Sequence, residues 1–280
     1  MCDKAMESNR AVIVGIIRSN HPMTRDVFLM TVTVPHGFES AMPGQFVMVR
    51  VRGREFPFLP RPFSIHSLYR EGEASTMEIL YQVVGDGTRL LSSLGSGDEL
   101  TILGPLGKGF DTRYDRRTVA LIAGGIGIAP LHFLAQYYNK KNVHGEEKPR
   151  LVCFMGARTA DGLIGRERME QLCDAVMVST DDGREGYCGM VTDCFVDNSK
   201  TMDTADLILY CCGPYEMMKR VALMAGDYSV PCQVSMEARM ACGIGACLGC
   251  SVKMKSDGRP VRYGRVCKDG PVFDSKMIDW

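Results

Sequence analysis

The chain has 280 residues, of which 45% are hydrophobic, and its 33 basic and 33 acidic residues give a formal net charge of zero. This length suffices for two compact domains and a small appendage, and the hydrophobic content excludes a disordered chain. Because charges of both signs are mixed along the sequence, neither nucleic acid nor an anionic membrane is expected as a partner.

The N-terminus and the longest apolar run bear on where the protein is located. Residues 1–10 mix charged and polar side chains and lack the apolar core of a signal peptide. The run over residues 119–135 contains glycines and Pro130, so it predicts a strand, a turn and a helix, and not a membrane span. We therefore expect a cytoplasmic protein.

Residues 10–103 alternate hydrophobic and polar side chains in short runs that glycine and proline separate. This period of two predicts an antiparallel barrel or sandwich. The runs cover residues 11–17, 27–34, 45–51, 63–68, 77–84 and 99–103. A helix over residues 88–94 interrupts them, directly after Gly85-Asp86-Gly87. Because the first N–H groups of a helix have no partner within it, its start at Gly87 and Thr88 suits a pyrophosphate.

The tetrapeptide Arg61-Pro62-Phe63-Ser64 opens one of these strands. A guanidinium can hold a phosphate through two hydrogen bonds, and an aromatic ring can pack against a flat cofactor. A serine hydroxyl can donate to a ring nitrogen, and proline fixes the backbone where the strand begins. An ordinary turn before a strand also uses Arg-Pro, so a flavin site and a plain turn both stay open on these residues alone.

From residue 118 the pattern changes to strands that alternate with helices. Strands are predicted over residues 118–123, 150–155, 175–179 and 206–210, and helices over residues 130–140, 166–172 and 215–225. This alternation predicts a doubly wound parallel sheet, in which ligands bind at the carboxyl ends of the strands.

Glycines mark three of those strand ends and favour a nucleotide there. They are Gly124, Gly125 and Gly127 in the first turn, Gly156 in the second, and Gly213 within Cys212-Gly213-Pro214. The first turn lacks the G-x-G-x-x-G fingerprint, so close packing of strand and helix is the alternative explanation. Asp181 and Asp182 follow the third strand and would repel a 2′-phosphate, which favours NADH, whereas Arg158 would favour NADPH.

Four cysteines near the C-terminus have the spacing of a metal site. Cys242, Cys247 and Cys250 follow C-x4-C-x2-C, and Cys267 comes after sixteen further residues. This is the plant-type pattern in which four thiolates hold a [2Fe–2S] cluster. Zinc is the alternative, although its four-cysteine sites usually combine two close pairs. Disulfides are not expected, because twelve cysteines without a secretory signal indicate a reducing compartment.

The segment over residues 231–280 that carries these cysteines is too short for a core of its own. We expect it to fold only with its metal bound, because the binding free energy of a structural metal acts as folding free energy. The eight other cysteines, Cys212 among them, are expected to be mostly buried apolar side chains.

Taken together and in this order, several motifs resemble the ferredoxin reductase superfamily. They are Arg61-Pro62-Phe63-Ser64, Gly104-Pro105-Leu106-Gly107, the turn from Gly124 to Pro130, Cys212-Gly213-Pro214 and the C-terminal cysteines. Within the superfamily, residues 237–247 and 266–273 resemble the electron-transfer subunits of NAD-dependent class B dihydroorotate dehydrogenases. The resemblance covers nearly the whole chain.

The resemblance implies FAD, a [2Fe–2S] cluster and NAD(H) as cofactors. It places FAD at Arg61, Pro62, Phe63, Ser64, Leu80, Tyr81, Gln82, Gly87 and Thr88, and the cluster at Cys242, Cys247, Cys250 and Cys267. The nicotinamide nucleotide is expected at Gly124, Gly125, Gly127, Cys212, Gly213 and Pro214. Ser64 is expected to be the catalytic residue, near the reacting flavin nitrogen.

The expected architecture is therefore multidomain, with β and α/β parts. It has an antiparallel flavin-binding β-barrel over residues 1–112, a doubly wound parallel-sheet nicotinamide domain over residues 113–230, and a small [2Fe–2S] domain over residues 231–280. The resemblance further implies an FMN-bearing TIM-barrel partner that oxidises dihydroorotate to orotate in pyrimidine biosynthesis. Two copies of each subunit would form a heterotetramer, and electrons would pass between this partner and NAD⁺.

Three alternatives remain. The small subunit of NADH-dependent ferredoxin:NADP oxidoreductase has a similar layout but typically carries an aspartate in place of one cluster cysteine. The corresponding subunit of anaerobic sulfite reductase shares the cysteine pattern but usually has tyrosine where Phe63 stands. The third is a non-enzymatic regulatory module that binds a nucleotide and is stabilised by zinc, which a colourless protein with stoichiometric zinc would identify.

Overall fold

A computed structural model of the chain describes residues 11–35, 38, 40–72, 74–143, 148–200, 202–256 and 261–280. Contacts divide the chain into two compact units. The first unit contains the described residues up to Gly109 together with Glu237–Ser251 and Arg265–Pro271, and the second contains Phe110–Met236, Val252–Gly264 and Val272–Trp280. The segment that carries the cysteines is thus shared between the two units, and the three-domain boundaries stay a prediction.

The first unit is built on an antiparallel sheet. Its strands are β1 (Ala11–Pro22), β2 (Val27–Val34), β3 (Phe46–Val51), β4 (Arg61–Ser64), β5 (Ser67–Glu71), β6 (Ala74–Gln82) and β7 (Glu99–Leu106), in the order β4-β3-β7-β1-β2-β6-β5. Along β2, Val32 and Val34 are buried while Thr33 between them is partly exposed, as expected for a strand with one face on the core. The predicted antiparallel β-architecture is confirmed, as a curled half-barrel.

Helix α1 (Asp86–Ser92) follows β6 and begins two residues before the predicted start, so that Gly87 lies in its first turn. The hydroxyl of Thr88 accepts hydrogen bonds from the N–H groups of Val84 and Gly85, at 2.9 and 3.2 Å. At the other end, the Asn20 amide on β1 donates to the carbonyls of Leu91 and Leu94, at 2.9 and 3.0 Å. These bonds hold both ends of a helix that is too short to be stable alone.

The remaining strands are β8 (Thr118–Gly124), β9 (Arg150–Ala157), β10 (Ala175–Thr180), β11 (Tyr187–Cys188), β12 (Leu207–Cys212), β13 (Cys232–Ser235), β14 (Ser251–Met254), β15 (Arg262–Arg265) and β16 (Val272–Asp274). The second unit contains a sheet of order β11-β10-β9-β8-β12-β13-β16, and β14 pairs with β15 in a separate sheet. The strands from β8 to β13 run parallel, and β16 is antiparallel to β13. Every residue of β12 is buried, as expected for a parallel strand covered on both faces. The doubly wound parallel sheet is therefore confirmed.

Helices α2 (Ile128–Val143), α3 (Arg166–Leu172), α4 (Val191–Ser199) and α5 (Tyr215–Asp227) belong to the second unit, and the short α6 (Val266–Asp269) belongs to the first. Helix α3 has the predicted bounds, and α2 and α5 extend beyond theirs. Helix α4 was not predicted. No helix in the described residues has both the length and the apolar character needed to cross a membrane.

Candidate functional site

Strand β4 and helix α1 bring two of the predicted flavin residues together. A Cβ atom added to Gly87 would lie 2.6 Å from Nε of Arg61, so the guanidinium occupies the space that a side chain would need. The first hydrogen bond inside α1 is donated by Arg89 to the Gly85 carbonyl at 2.9 Å, which leaves the preceding N–H groups of the helix to face other acceptors. A cation beside free helix N–H groups fits a pyrophosphate.

An open, shallow cleft adjoins this pair of residues. It is lined by Val49, Arg50, Val51, Arg54, Phe56, Pro57, Leu59, Arg61, Gly87 and Leu91. The wall is mostly apolar and carries three arginines, which suits an extended anionic ligand with a flat apolar part.

Aromatic rings of β2, β6 and the predicted flavin strand β4 pack against one another. Tyr81 stacks on Phe28 with ring centroids 5.8 Å apart, and lies 5.6 Å from Phe63 in a tilted arrangement. Its hydroxyl donates to Oδ1 of Asn20 at 3.0 Å. Burial raises the pKa of Tyr81 to about 12, so the phenol stays protonated and keeps this hydrogen bond at neutral pH.

The predicted flavin residues differ in how much of their side chain a ligand can reach. Leu80 and Tyr81 are only 4% and 2% exposed, so their side chains support the site from behind. Gln82 is exposed and donates to Oδ2 of Asp26 at 2.6 Å, a bond that lowers the pKa of that carboxyl. Ser64 is half-buried, and in the described part of the chain its hydroxyl has no hydrogen-bond partner, which leaves it able to donate to a ligand.

At the carboxyl edge of the parallel sheet, the ends of β8 and β12 are in backbone contact. A Cβ on Gly127 would lie 2.2 Å from the Cys212 carbonyl oxygen, and one on Gly124 would lie 2.7 Å from Cδ of Pro214. Close packing, the alternative explanation of the glycine turn, therefore accounts for these two glycines. Gly125 differs, because its φ of 52° favours glycine and the space where a Cβ would stand is open.

The acidic turn after β10 lies beside the end of β9. The N–H of Asp181 donates to the Ala157 carbonyl at 3.1 Å, and that of Asp182 donates to the Arg158 carbonyl at 3.3 Å. The carboxylate of Asp182 accepts from the N–H of Arg184 at 3.2 Å. Asp181 and Asp182, which would repel a 2′-phosphate, thus lie beside Arg158, which would attract one, at the same edge of the sheet.

The four predicted cluster cysteines lie in the first unit as two pairs. Sγ of Cys250 and Sγ of Cys267 are 3.1 Å apart, and the N–H of Cys247 donates to Sγ of Cys242 at 3.4 Å. Among the described residues, no three potential ligands converge on one point as a single metal ion would require. Two pairs suit a two-iron cluster, in which each iron takes two thiolates, better than one tetrahedral zinc.

Backbone N–H groups surround the Cys242 sulfur. Burial acts to raise the pKa of this thiol, but hydrogen bonds from the backbone of Cys247, Ile244 and Ala246 outweigh burial and lower the pKa to about 6. Gly243 and Gly245, with φ of 70° and 84°, make this turn possible. The loop is therefore built to stabilise thiolate, the form that binds iron.

The cluster loop packs against the half-barrel. A Cβ on Gly243 would lie 2.5 Å from Cγ of Met48 on β3, and one on Gly107 would lie 2.5 Å from Cδ of Pro271. The N–H of Lys108 donates to the Gly270 carbonyl at 2.5 Å. The candidate cluster and the candidate flavin cleft thus share β3, whose neighbour β4 carries Arg61 and Ser64.

Several supporting residues had no signal in the sequence. Asn20 and Met48 contact the site from strands that are distant in the sequence. Arg265 lies two residues before the last cluster cysteine, and no motif in the sequence singles it out. Such contacts depend on register between strands, which a single sequence does not reveal.

Comparisons with known proteins agree with this arrangement. Residues 237–279 match the model of the iron-sulfur cluster binding domain of dihydroorotate dehydrogenase B, and residues 121–222 match the oxidoreductase NAD-binding domain. The predicted iron–sulfur and nicotinamide modules are therefore present in the chain. The iron–sulfur match decides against the zinc alternative.

The chain is also similar to two solved structures. The first is a chain of the NADH-dependent reduced ferredoxin-NADP oxidoreductase, with 30% identity, a TM-score of 0.80, and coverage of 95% of this chain and 90% of that one. The second is a ferredoxin NADP⁺ reductase from Neisseria gonorrhoeae with bound FAD and NADP, with 16% identity, a TM-score of 0.65, and coverage of 79% and 92%. The predicted ferredoxin reductase fold is confirmed.

Curated relatives extend over most of the chain. The dihydroorotate dehydrogenase B (NAD(+)) electron transfer subunit of Desulforamulus reducens is 38% identical over 255 residues, which are 91% of this chain and 93% of the relative. That of Clostridium acetobutylicum is 41% identical over 231 residues, which are 82% of this chain and 83% of the relative. The resemblance drawn from the motifs is thereby confirmed: the chain belongs to the family of dihydroorotate dehydrogenase B (NAD(+)) electron transfer subunits.

Proposed function

We propose that the chain transfers electrons between the nicotinamide nucleotide NAD(H) and a catalytic partner subunit, as the names of its relatives state for them. The observation that carries the proposal is the first unit, in which the loop between the first two cluster cysteines packs against β3, the strand next to the candidate flavin strand. NADH gives up two electrons together and a [2Fe–2S] cluster passes them singly, and FAD, when bound, interconverts the two.

The residues of the chain supply binding and orientation for this chemistry. Arg61 and the start of α1 at Gly87 and Thr88 hold the pyrophosphate of FAD. Ser64, whose hydroxyl has no partner among the described residues, donates to the flavin ring near the nitrogen that receives the hydride. Phe63 packs against the ring, supported from behind by Tyr81.

At the edge of the parallel sheet, the residues of the chain orient the nicotinamide nucleotide. Gly125 leaves open space for its approach beside the exposed Pro214, while Gly124, Gly127, Cys212 and Gly213 form the buried backbone beneath that edge. Cys212 is buried, so its role is structural. Asp181 and Asp182 select NAD(H) over its 2′-phosphorylated form.

The test is an anaerobic absorption titration of the isolated chain with NADH, with iron, sulfide and zinc counted on the same sample. We expect flavin bleaching and two irons per chain. A chain with zinc in place of iron, or a flavin that NADH leaves oxidised, contradicts the proposal.

The partner that we propose is the FMN-containing catalytic subunit that oxidises dihydroorotate to orotate in pyrimidine biosynthesis, in a cytoplasmic heterotetramer of two subunits of each kind. The surface around the cluster loop supports docking of a protein there. Ile244 and Leu248 are 44% and 62% exposed, and they flank the exposed Cys247. Apolar side chains around an electron exit are available for burial by a partner.

Copurification with that subunit tests the docking surface. We expect Leu248→Asp to abolish copurification, because it places a charge in a surface that the partner covers. Leu223→Asp is the matched control, since Leu223 on α5 is similarly exposed, at 57%. Equal recovery of the partner with both variants excludes the cluster loop as its docking site.

A second candidate function follows from the similarity to the NADH-dependent reduced ferredoxin-NADP oxidoreductase chain. In that case the partner is a different flavoprotein subunit, and ferredoxin takes part in the reaction. The four cysteines of this chain favour the first candidate, because the second family typically has an aspartate at one of those positions. Dihydroorotate-dependent reduction of NAD⁺ by the copurified complex distinguishes the two.

A further inference from the structure

Arg265 joins the two parts of the candidate cluster site. It is the residue directly before α6, the short helix that carries Cys267. Its Nη1 donates to the carbonyl of Gly245 at 3.2 Å, and Gly245 lies in the loop between Cys242 and Cys247. One side chain therefore connects the first stretch of cysteines to the last one.

Asp269 fixes the position of this guanidinium. Its Oδ2 accepts from Nε of Arg265 at 3.1 Å and from the backbone N–H of the same residue at 2.8 Å, and its Oδ1 lies 3.4 Å from Nη2. The carboxylate thus contacts both the main chain and the side chain of Arg265. This ion pair is only about one-third exposed, with side-chain exposures of 32% and 39%.

The hydrogen bond to Gly245 fixes a loop whose backbone contacts a cluster sulfur. The N–H of Cys247, two residues after Gly245, donates to Sγ of Cys242 at 3.4 Å. The methylenes of Lys268 cover Gly245, since a Cβ there would lie 2.9 Å from Cδ of that lysine. Arg265 therefore holds the loop from which an N–H donates to a ligand atom.

The positive charge of Arg265 also lies at the candidate cluster site. Arg265 is two residues before Cys267, and its guanidinium is hydrogen-bonded to the loop between Cys242 and Cys247. Reduction of a four-thiolate [2Fe–2S] cluster adds one further negative charge to the site. Net charge near the cluster and hydrogen bonds to its sulfurs are the protein's means of setting the reduction potential.

We propose that Arg265 and Asp269 act as a charge pair that sets the reduction potential of the cluster, with Arg265 stabilising the reduced form and Asp269 opposing it. The proposal rests on the proposed function, since it needs the cluster in place. Arg265 acts here as a positioning residue: it holds the loop at Gly245 and supplies charge, and it is not a ligand.

The test is a redox titration of the holoprotein, monitored by the electron paramagnetic resonance signal of the reduced cluster, with iron counted per chain. For Arg265→Gln we expect the equilibrium constant for cluster reduction to fall by about tenfold, which for one electron is a potential lower by about 59 mV. For Asp269→Asn we expect a shift in the opposite direction. Arg265→Lys keeps the charge and should recover most of the wild-type potential.

An exposed ion pair of the same unit provides the matched controls. Arg52 and Glu99 are joined at 2.7 Å with side-chain exposures of 52% and 46%, and Arg52→Gln and Glu99→Gln change the net charge by the same amounts. The controls should leave the potential at its wild-type value. Shifts of one sign in both Arg265→Gln and Asp269→Asn, or shifts no larger than those of the controls, overturn the proposal.

What a loss of iron implies depends on whether the variant or the wild type loses it. If Arg265→Gln does not retain iron, the shift of Asp269→Asn relative to its control Glu99→Gln decides the matter, and an unshifted Asp269→Asn overturns the proposal. If the wild-type chain itself holds no iron, the proposed function fails, and the role of Arg265 fails with it. If the wild type holds iron and the variants have the wild-type reduction potential, only the role of the charge pair is rejected.

Discussion

At Gly87 the candidate flavin site has no room for a side chain. Its missing side chain leaves room for the Arg61 guanidinium, whose Nε would lie 2.6 Å from an added Cβ. We expect Gly87→Ala to push the guanidinium away and to weaken FAD binding by about tenfold, or about 1.4 kcal/mol. The measurement is a fluorescence titration of the flavin-free protein with FAD.

Folding stability separates this effect from general damage. Gly87 lies within a helix, where alanine is preferred to glycine by about 1 kcal/mol, so the flavin-free variant should be no less stable than wild type. Gly85→Ala is a matched control, because nothing lies within 4 Å of a Cβ at that position. Unchanged affinity for FAD in Gly87→Ala would show that the contact with Arg61 does not serve the cofactor.

Asp181 and Asp182 determine, in our proposal, which nucleotide the chain accepts. Their backbone is tied to the end of β9 beside Arg158, so neutralising both carboxylates leaves a cation without its acidic neighbours. We expect the double change to asparagine to lower the preference for NADH over NADPH by about tenfold, as a salt-dependent effect of local charge. Rates of flavin bleaching with each nucleotide give the ratio.

The exposed carboxylate of Asp161, in the turn after β9, offers a control for charge alone. Asp161→Asn removes one charge from the same unit and should leave the nucleotide preference unchanged. If the double variant keeps the wild-type preference, the acidic turn does not contact the ribose.

At the scale of elements, Gly127 makes the tightest contact where the ends of β8 and β12 meet. A Cβ on Gly127 would lie 2.2 Å from a backbone oxygen of Cys212, and backbone in a parallel sheet cannot move aside as a flexible side chain can. We expect Gly127→Ala to lower the free energy of unfolding by about 3 kcal/mol, at the upper end of the range for overpacking. Urea denaturation followed by circular dichroism measures it.

Gly226 in α5 provides the opposite case. Nothing lies within 4 Å of a Cβ there, so Gly226→Ala should raise stability by about 0.5–1 kcal/mol. Equal denaturation midpoints for the two variants would mean that the ends of β8 and β12 are not in the close contact described.

The elements also show what a single sequence reveals. The apolar runs of β8, β9 and β12 and the helix α3 were predictable, because their periodicity reflects burial that is fixed by the chain itself. The run over residues 63–68 proved to be two strands, β4 and β5, because the chain changes partner from β3 to β6 within it. Pairing with distant strands carries no local signal.

Helix α4 and strands β13 and β16 were missed for a related reason. Helix α4 has the sequence VTDCFVDNS, which combines β-branched residues with poor helix formers, and it is helical because Phe195 and Cys194 are buried against the sheet. Strands β13 and β16 have four and three residues, too few for a recognisable alternation. Tertiary packing decides such segments.

The candidate site likewise combines residues that the sequence reveals with residues that only the folded chain brings together. The cysteine spacing and the Arg-Pro-Phe-Ser motif were readable because the chemistry needs those residues at those positions. The contribution of Arg265 was not, since it depends on a hydrogen bond that spans twenty residues of sequence. For the glycines, the structure assigns Gly124 and Gly127 to packing, a role that the sequence left open.

At the scale of the molecule, the cluster loop belongs to the same compact unit as the flavin strands. Loss of the cluster should therefore affect flavin binding, because Gly243 packs on Met48 of β3. We expect Cys247→Ser to deplete iron and to lower the temperature of flavin release by about 2–4 °C, which corresponds to about 1 kcal/mol for a protein of this size. Flavin fluorescence during heating, with iron counted beforehand, tests this.

The second unit should not respond to the same change. Amide hydrogen exchange in β8 and β9 should remain at wild-type rates in Cys247→Ser, because those strands belong to the other unit. Cys188→Ser, at an exposed cysteine outside the cluster, is the control and should change neither iron content nor flavin release. Flavin release at the wild-type temperature in iron-free Cys247→Ser would show that the cluster loop does not support the flavin strands.

The distribution of the C-terminal segment between the two units has a consequence for how the protein is made. During synthesis β1 to β13 leave the ribosome before Cys267 and β16, so neither unit has all of its elements until those residues have been made. Until then β13 is an open sheet edge, a template for aggregation, and the last pair of thiols does not exist. The four-thiol site can therefore take up its metal only after Cys267 has been made, and cells short of iron should accumulate chains in which β16 covers β13 while the thiols still lack iron.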